Sequence, residues 1–476
     1  MKKRSKKADK KTAAEVTVPS PATVSVPAGS NDRGDRGDRA NEIRRDFMKG
    51  ILFMVLLVPF TIALEHSALG HKAEHEAYGL LQSLLSSDDV PFAVVNISKL
   101  EPQPIEVDGK TRAVTPRTDL KQIIDAIAEK RAKVIAIDIN FAPLANGEYV
   151  DPAADPEFFQ FCLSKNDAAE QQRLPVILAV DWATTAQSAA RRPELLLADP
   201  ANPNYKDLFA CIRIPEATGK LPYKISDETG FEITTMGAAI ADALRSTEIN
   251  SRRLAAPLPQ WAVQQFSIRE LEYGVKVHEF PVDYSVLDTL RTREHTLATA
   301  DPRVIKDQGD ILSDKVVLVG NGTLGNTLDV FTVPGRSEQI PGVYLHAAAA
   351  YTLSKAPLYM LTWKGAALID AAMSLFILGA IAAIRWHYKD RTTKQVAKHR
   401  LEKLFSVLVG LLAIVFGVWF VNYHRVLWVD FMLVVPLLLL NPTIEHQLEH
   451  AWRYVRRKAP GAVEAVVFER EKEDTK

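Results

Sequence analysis

Residues 119–139 read DLKQIIDAIAEKRAKVIAIDI, and the change of period inside this stretch decides the fold. Leu120, Ile123, Ile124 and Ile127 recur at helical spacing, whereas 133–139 is a short β-rich run. Upstream, 92–97 is β-branched and aromatic, so the three pieces make a strand, helix, strand unit. Outward from it the alternation continues: 175–180 reads as a strand, 236–244 as a helix, 275–280 and 315–319 as strands, and 344–353 as a helix. Short apolar strands alternating with helices predict an α/β fold with a largely parallel sheet and flanking helices. Between 181 and 230 the pattern weakens into Pro-rich and Asn-rich stretches, such as Asp199-Pro200-Ala201-Asn202-Pro203-Asn204, which read as surface excursions.

This α/β segment, 65–361, is flanked by apolar runs. A helix needs about 20 mostly apolar residues to cross a bilayer, and 47–64, 363–384, 404–421 and 426–440 come close. The last is short and needs Tyr423 and Asn441 as interfacial extensions. Lys and Arg beside spans stay on the cytoplasmic side. Basic residues crowd 1–46, the 385–403 loop and the tail 443–476, and all three fall on one side if there are four crossings. The expectation is a multi-pass inner-membrane protein with both termini cytoplasmic and the central domain periplasmic. More than forty residues precede the first apolar run, which therefore reads as an uncleaved anchor and not a signal peptide.

Lys and Arg total 58 and Asp and Glu total 58, so the formal net charge is zero. The basic cytoplasmic segments and more acidic exterior fit a membrane surface and no nucleic acid. Residues 1–46 offer no apolar face and read as a disordered tail; Arg33-Gly34-Asp35-Arg36-Gly37-Asp38 within it is a solvated polyampholyte. The two cysteines, Cys162 and Cys211, lie in the exported part, where either a disulfide or two separate buried thiols would be at home.

Gly320, Gly322 and Gly325 follow the 315–319 strand at G-x-G-x-x-G spacing, but the chain then runs into turn residues and not a helix. They read as a turn that needs glycine for positive dihedral angles. His71-Lys72-Ala73-Glu74-His75 is an H-x-x-E-H string that recurs as His446 to His450, each copy on a polar helix next to a span. Solvated helix faces are the plain reading of both. No nucleophile elbow, Walker A string or thiolate cluster is present. The chain is expected to be no enzyme, with no cofactor and no metal. Asp370 and Asp430 interrupt apolar runs, and sit either at the outer interface beside His424 or Arg425, or facing a shared wet pocket that reports on the exterior domain.

Asp314 to Gly320, then Asp329-Val330-Phe331-Thr332-Val333-Pro334, then Pro341-Gly342-Val343-Tyr344-Leu345-His346-Ala347 occur in an order that resembles the cyclase and histidine-kinase associated sensory extracellular domain of the second type, CHASE2. Thr115-Pro116-Arg117 and Val134 to Phe141 resemble that family's other signatures. The resemblance implies a sensory module of bacterial transmembrane receptors whose ligand is generally unknown. Arg117, Asp138, Asp329, Pro334, Gly342 and His346 match its recurrent positions. Asp138 would sit at the carboxyl end of a parallel strand, where α/β sheets place ligand sites; Asp329 and His346 are further candidate ligand residues, with Arg117 as a charge partner. A buried structural ion pair is the competing reading.

Relatives usually carry an output domain after the last span, whereas 443–476 is short. The expected function is therefore a sensor that passes an envelope or environmental signal to a separate partner. Its expected contacts are the bilayer, a cytoplasmic or membrane partner protein and an unidentified extracytoplasmic ligand; a homo-oligomer stays open. Two other classes stay open as well, a structural or assembly subunit of an envelope complex and an extracytoplasmic enzyme.

Overall fold

The computed structural model describes most of residues 67–369, together with scattered positions to 383 and stretches of 404–427. Within that range 86, 88, 108, 144–148, 167–172, 182–207, 215–218, 227–231, 248–257, 272–273 and 325–328 are not described. The first half runs α1 (Ala68–Gln82), β1 (Phe92–Asn96), the hairpin β2 (Gln103–Val107) and β3 (Lys110–Val114), α2 (Arg117–Glu129), β4 (Val134–Asn140), α3 (Asp155–Asn166) and β5 (Val176–Val180). Next come β6 (Phe209–Cys211), β7 (Lys220–Ser226), β8 (Glu232–Thr234), α4 (Met236–Thr247), β9 (Val263–Gln264), β10 (Ser267–Glu270) and β11 (Lys276–Pro281). The rest is α5 (Val286–Leu290), β12 (Thr296–Leu297), α6 (Pro302–Gln308), β13 (Val316–Gly320), β14 (Val330–Thr332), β15 (Gln339–Pro341), α7 (Gly342–Ser354), β16 (Tyr359–Leu361) and β17 (Val426–Leu427).

Six strands form a parallel sheet in the order β12-β1-β13-β4-β5-β6. Its central strands are apolar along most of their length because both faces are covered. Val94, Val134, Ala136, Val316 and Leu318 pack with α1, α4, α5 and α7. Their neighbours Val95, Ile135, Ile137, Val317 and Val319 pack on the other side with α2, α3 and α6. The alternation follows from the two-residue period of a strand. The expected α/β architecture with a largely parallel sheet is the observed one.

Two expectations are corrected. The 275–280 strand is β11, which belongs to a separate antiparallel sheet, β10-β11-β7-β8. The region 181–230 is not all surface excursion: Phe209, Ala210 and Cys211 are buried as the sixth parallel strand, and β7 pairs with both β8 and β11. Three residues are too few to show a period, and β7 contains Pro222 and two lysines, which mask a strand pattern.

Among the described residues no helix is long and apolar enough to cross a membrane. The expected span 47–64 lies outside them, as do large parts of the other three. The start of the expected span 426–440 is corrected, since Val426 and Leu427 are a strand paired parallel to Tyr359 and Met360. The ladder opens with the Tyr359 amide donating to the Arg425 carbonyl at 3.0 Å.

Candidate functional site

β4 keeps register with β13 as far as Asp138 opposite Gly320. Against β5 it slips after Ile137, so that Asn140 next opposes Ala179. Such bulges re-aim side chains at sheet ends. The Asn140 side-chain oxygen fixes the slipped end by accepting from the amides of Ala142 at 2.8 Å and Asp181 at 2.9 Å. Asp138 lies at the carboxyl edge of the sheet, and His346 lies near the start of α7, which covers that face.

The Asp138 and His346 side chains are 4% and 6% exposed, and His346 Nε2 lies 3.9 Å from Asp138 Oδ1. That is a contact, too long for a hydrogen bond. Asp138 Oδ2 has no hydrogen-bond partner among the described residues. Burial alone pushes the Asp138 carboxyl up to about 7. Asp329 joins the cluster from the segment before β14. Burial first, then the Asp138 charge, raise it to about 6, against an opposing pull from His346. Burial drives the His346 imidazole down to about 4, opposed by Asp329 and by a hydrogen bond to the Ile212 main chain. From about pH 4 to about pH 6 both acids therefore hold protons beside a neutral imidazole. Above about pH 7 the same space carries two negative charges, with no Lys or Arg paired to either acid among the described residues. Chemically this arrangement can take up and release protons.

Glycines close the cluster. A Cβ on Gly320 would stand 3.0 Å from Asp138 Cβ and 3.1 Å from Val343 Cγ2; one on Gly322 would stand 3.0 Å from Asn96 Cγ and from Tyr344 Oη. A Cβ on Gly342 would overlap the Asp329 carboxylate. The positive-φ glycines of the described residues are Gly109, Gly219, Gly274 and Gly335. Gly320 and Gly322 are thus needed for close approach and not for positive dihedral angles, which corrects the expectation; Gly325 lies outside the described residues.

Arg117 does not partner Asp138. Its Nε donates to Asp155 Oδ1 at 2.6 Å, its Nη1 donates to the Thr115 carbonyl at 3.1 Å, and its guanidinium lies 4.5 Å from the Phe141 ring centroid. Both side chains of that ion pair are almost fully buried between α2 and α3. Cys162 and Cys211 are both buried and form no disulfide, the former with its thiol pushed up by burial. His75 is exposed on α1, and no group of three or more His, Cys, Asp or Glu side chains among the described residues is placed to hold a metal ion. Asp370 and Asp430 lie outside the described residues.

A second feature escaped sequence reasoning. Asp283, fully buried, follows β11 and pairs with Arg425. Its Oδ1 also accepts from the Ser285 amide at 3.0 Å and hydroxyl at 2.5 Å. The Asp283 amide donates to Thr352 Oγ1 on α7 at 2.9 Å. Arg425 Nη2 also donates to the Ala356 carbonyl at 3.0 Å, and the Arg425 carbonyl accepts from Tyr359 N at 3.0 Å. Beside it, β16 joins β17 to β9 in a three-stranded sheet. Arg425 therefore meets Asp283. The only hint in the sequence is one acid inside the apolar run Phe280-Pro281-Val282-Asp283-Tyr284.

The CHASE2 domain family matches residues 52–383, a range that takes in most of the first expected span and nearly all of the second. No curated protein and no solved structure matches the chain. The glycine-closed sheet edge falls inside the matched range, and so do Asp138, Asp329 and His346. The chain belongs to the CHASE2 family of sensory domains.

Proposed function

We propose that this chain is a membrane-held extracytoplasmic sensor whose α/β domain reads a signal at the Asp138, Asp329 and His346 edge and passes it through its flanking helices to a second protein. The observation that carries this reading is the Asp283–Arg425 pair. It fastens the core of the domain to the segment between the expected third and fourth spans, so a shift inside the domain has a direct mechanical route to those helices. The apolar side chains of Trp363, Leu368, Leu404, Leu408, Val415 and Trp419 are exposed, which supports a lipid surface around them. A sensor of this kind works only if its signal prefers one arrangement of the domain.

The test is site-specific photo-crosslinking from the 385–403 loop and from 443–476 in intact cells, with compartment-specific labelling of the same positions. The expected result is cytoplasmic labelling of both and crosslinks to one recurrent receiving protein. Labelling from the outside, or crosslinks confined to envelope proteins, would overturn the reading in favour of a structural subunit.

A further inference from the structure

We infer that the closed cluster of Asp138, Asp329 and His346 is a proton-binding site, and that the signal this domain reads is the acidity of the compartment it faces. The inference deepens the sensor reading and rests on it for its consequence.

Three features of the geometry carry it. Asp138 Oδ2 is buried and has no hydrogen-bond partner among the described residues, which is a standing penalty unless the group has work to do. Gly320 brings β13 into contact with Asp138, and Gly342 brings the start of α7 against the half-buried Asp329, so the smallest ligand of all fits beside Asp138 where an organic ion would have to part β13 from α7. The third feature is the connection onward. α7 carries His346 near its start and Thr352 near its end, and Thr352 Oγ1 accepts from the amide of Asp283, the residue that holds Arg425. One buried helix thus runs from the cluster to the joint with the expected membrane helices.

Several other charged groups on the elements packed around the cluster have partners of their own, and the buried Tyr284 hydroxyl has none among the described residues. On α4, Asp242 and Arg245 lie 3.4 Å apart. Beyond β5 and β6, Asp181 and Arg213 lie 3.7 Å apart. Beside α7, Asp288 on α5 holds Arg336 at 2.6 Å, Arg336 lies 3.6 Å from Glu338, and the Tyr344 hydroxyl is 3.3 Å from Thr296 Oγ1. None of these groups neutralises Asp138 or Asp329 when they ionise.

The step itself is a proton leaving a carboxyl oxygen of Asp138 for water and returning to it, with no other bond changed. With the proton gone, Asp138 and Asp329 repel in a space of low polarity, and the strain falls on α7, which carries His346 against them. The burial-driven upward shifts of both acids place this event near neutral pH.

The experiment is a pH titration of the full chain in lipid nanodiscs, followed by infrared spectroscopy of the protonated carboxyl band and by amide hydrogen exchange across 342–361. The expected result is loss of a carboxyl band between about pH 5 and 8, with exchange at 342–361 rising at least several-fold over the same interval. Asp138→Asn should remove the part of that band that titrates at the higher pH and flatten the exchange response. Asp329→Asn should keep the Asp138 band, which serves should the first variant fold poorly. A wild-type titration with no carboxyl band lost overturns the inference, and so does a band that titrates while exchange at 342–361 stays flat. Either failure leaves crosslinking to a receiving protein unaffected, whereas a failed sensor reading would show in the crosslinks with the titration intact.

Discussion

The guanidinium of Arg425 closes on the carboxylate of Asp283, an acid with no exposed surface and 142 residues distant in sequence. Removing one partner of a buried pair leaves an uncompensated charge. Arg425→Ala is expected to destabilise the domain by about 3 kcal/mol, below the upper end of that range because the Arg425 side chain is 25% exposed and Ser285 keeps its bonds to Asp283. Denaturant unfolding in detergent would measure it. A double cycle with Asp283→Asn should return a coupling of about 2 kcal/mol, and a coupling near zero would remove the joint.

The stability of the domain should depend on pH in a specified direction. Asp138 and Asp329 are raised from 3.8 to about 7 and about 6, so between about pH 4 and those values the folded state binds more protons than the unfolded chain. Stability supplied by their protonation is present at low pH and lost as pH rises through the folded values. His346, lowered from 6.5 to about 4, acts in the opposite sense, adding stability as pH rises from about 4 to about 6.5. The two acids outweigh the one imidazole, and the net expectation is a fall in stability from about pH 4 to about pH 7. Asp138→Asn should flatten that slope and raise stability at pH 8 by up to about 4 kcal/mol. Chemical denaturation at a series of pH values would decide it, and a profile unchanged by the substitution would contradict the assignment.

Gly320→Ala should cost about 1–3 kcal/mol through overpacking against Asp138 and Val343. It should also move the pH at which the Asp138 carboxyl titrates. Gly109 offers the control, since a Cβ there meets nothing within 4 Å and only its φ of +69° is unfavourable. Gly109→Ala should cost about 1–2 kcal/mol and leave the Asp138 titration where it was. Identical carboxyl titrations in the two variants would mean that the glycine does not shape the cluster.

Arg117→Ala tests the division of labour between the two buried acids. It strands Asp155 between α2 and α3 and removes a cation lying over Phe141, so a loss of about 3–5 kcal/mol is expected. The carboxyl titration assigned to Asp138 should be unchanged, because Arg117 does not contact it. A titration shifted by a full pH unit would return Arg117 to the site.

Much of the fold was legible because a parallel strand covered on both faces leaves an unbroken apolar run. Phe92 to Val95, Val134 to Ile137, Val176 to Val180 and Val316 to Val319 all show it. β6 and β7 hid because one is three residues long and the other carries Pro222 and two lysines. At the site, Asp138, Asp329 and His346 could be named from their family positions, and the structure brings them together. Arg117 could not be assigned a partner in advance, since Asp155 was one acid among many and only packing of α2 on α3 selects it. Glycine roles were misread for a related reason: close approach to Asp138 and Asn96 is a tertiary fact, whereas positive φ is a local one.

Strand order carries a consequence for biogenesis. β13 lies between β1 and β4, so neither of those strands has its inner neighbour until residue 316 has been made. A nascent chain halted before that point would present two unsatisfied, strongly apolar edges at once, the very surfaces that recruit other unpaired strands. Slow ribosome passage or premature release in the 300–315 region should therefore send this polypeptide to holding chaperones or to proteolysis far more readily than an interruption after the strand is laid in.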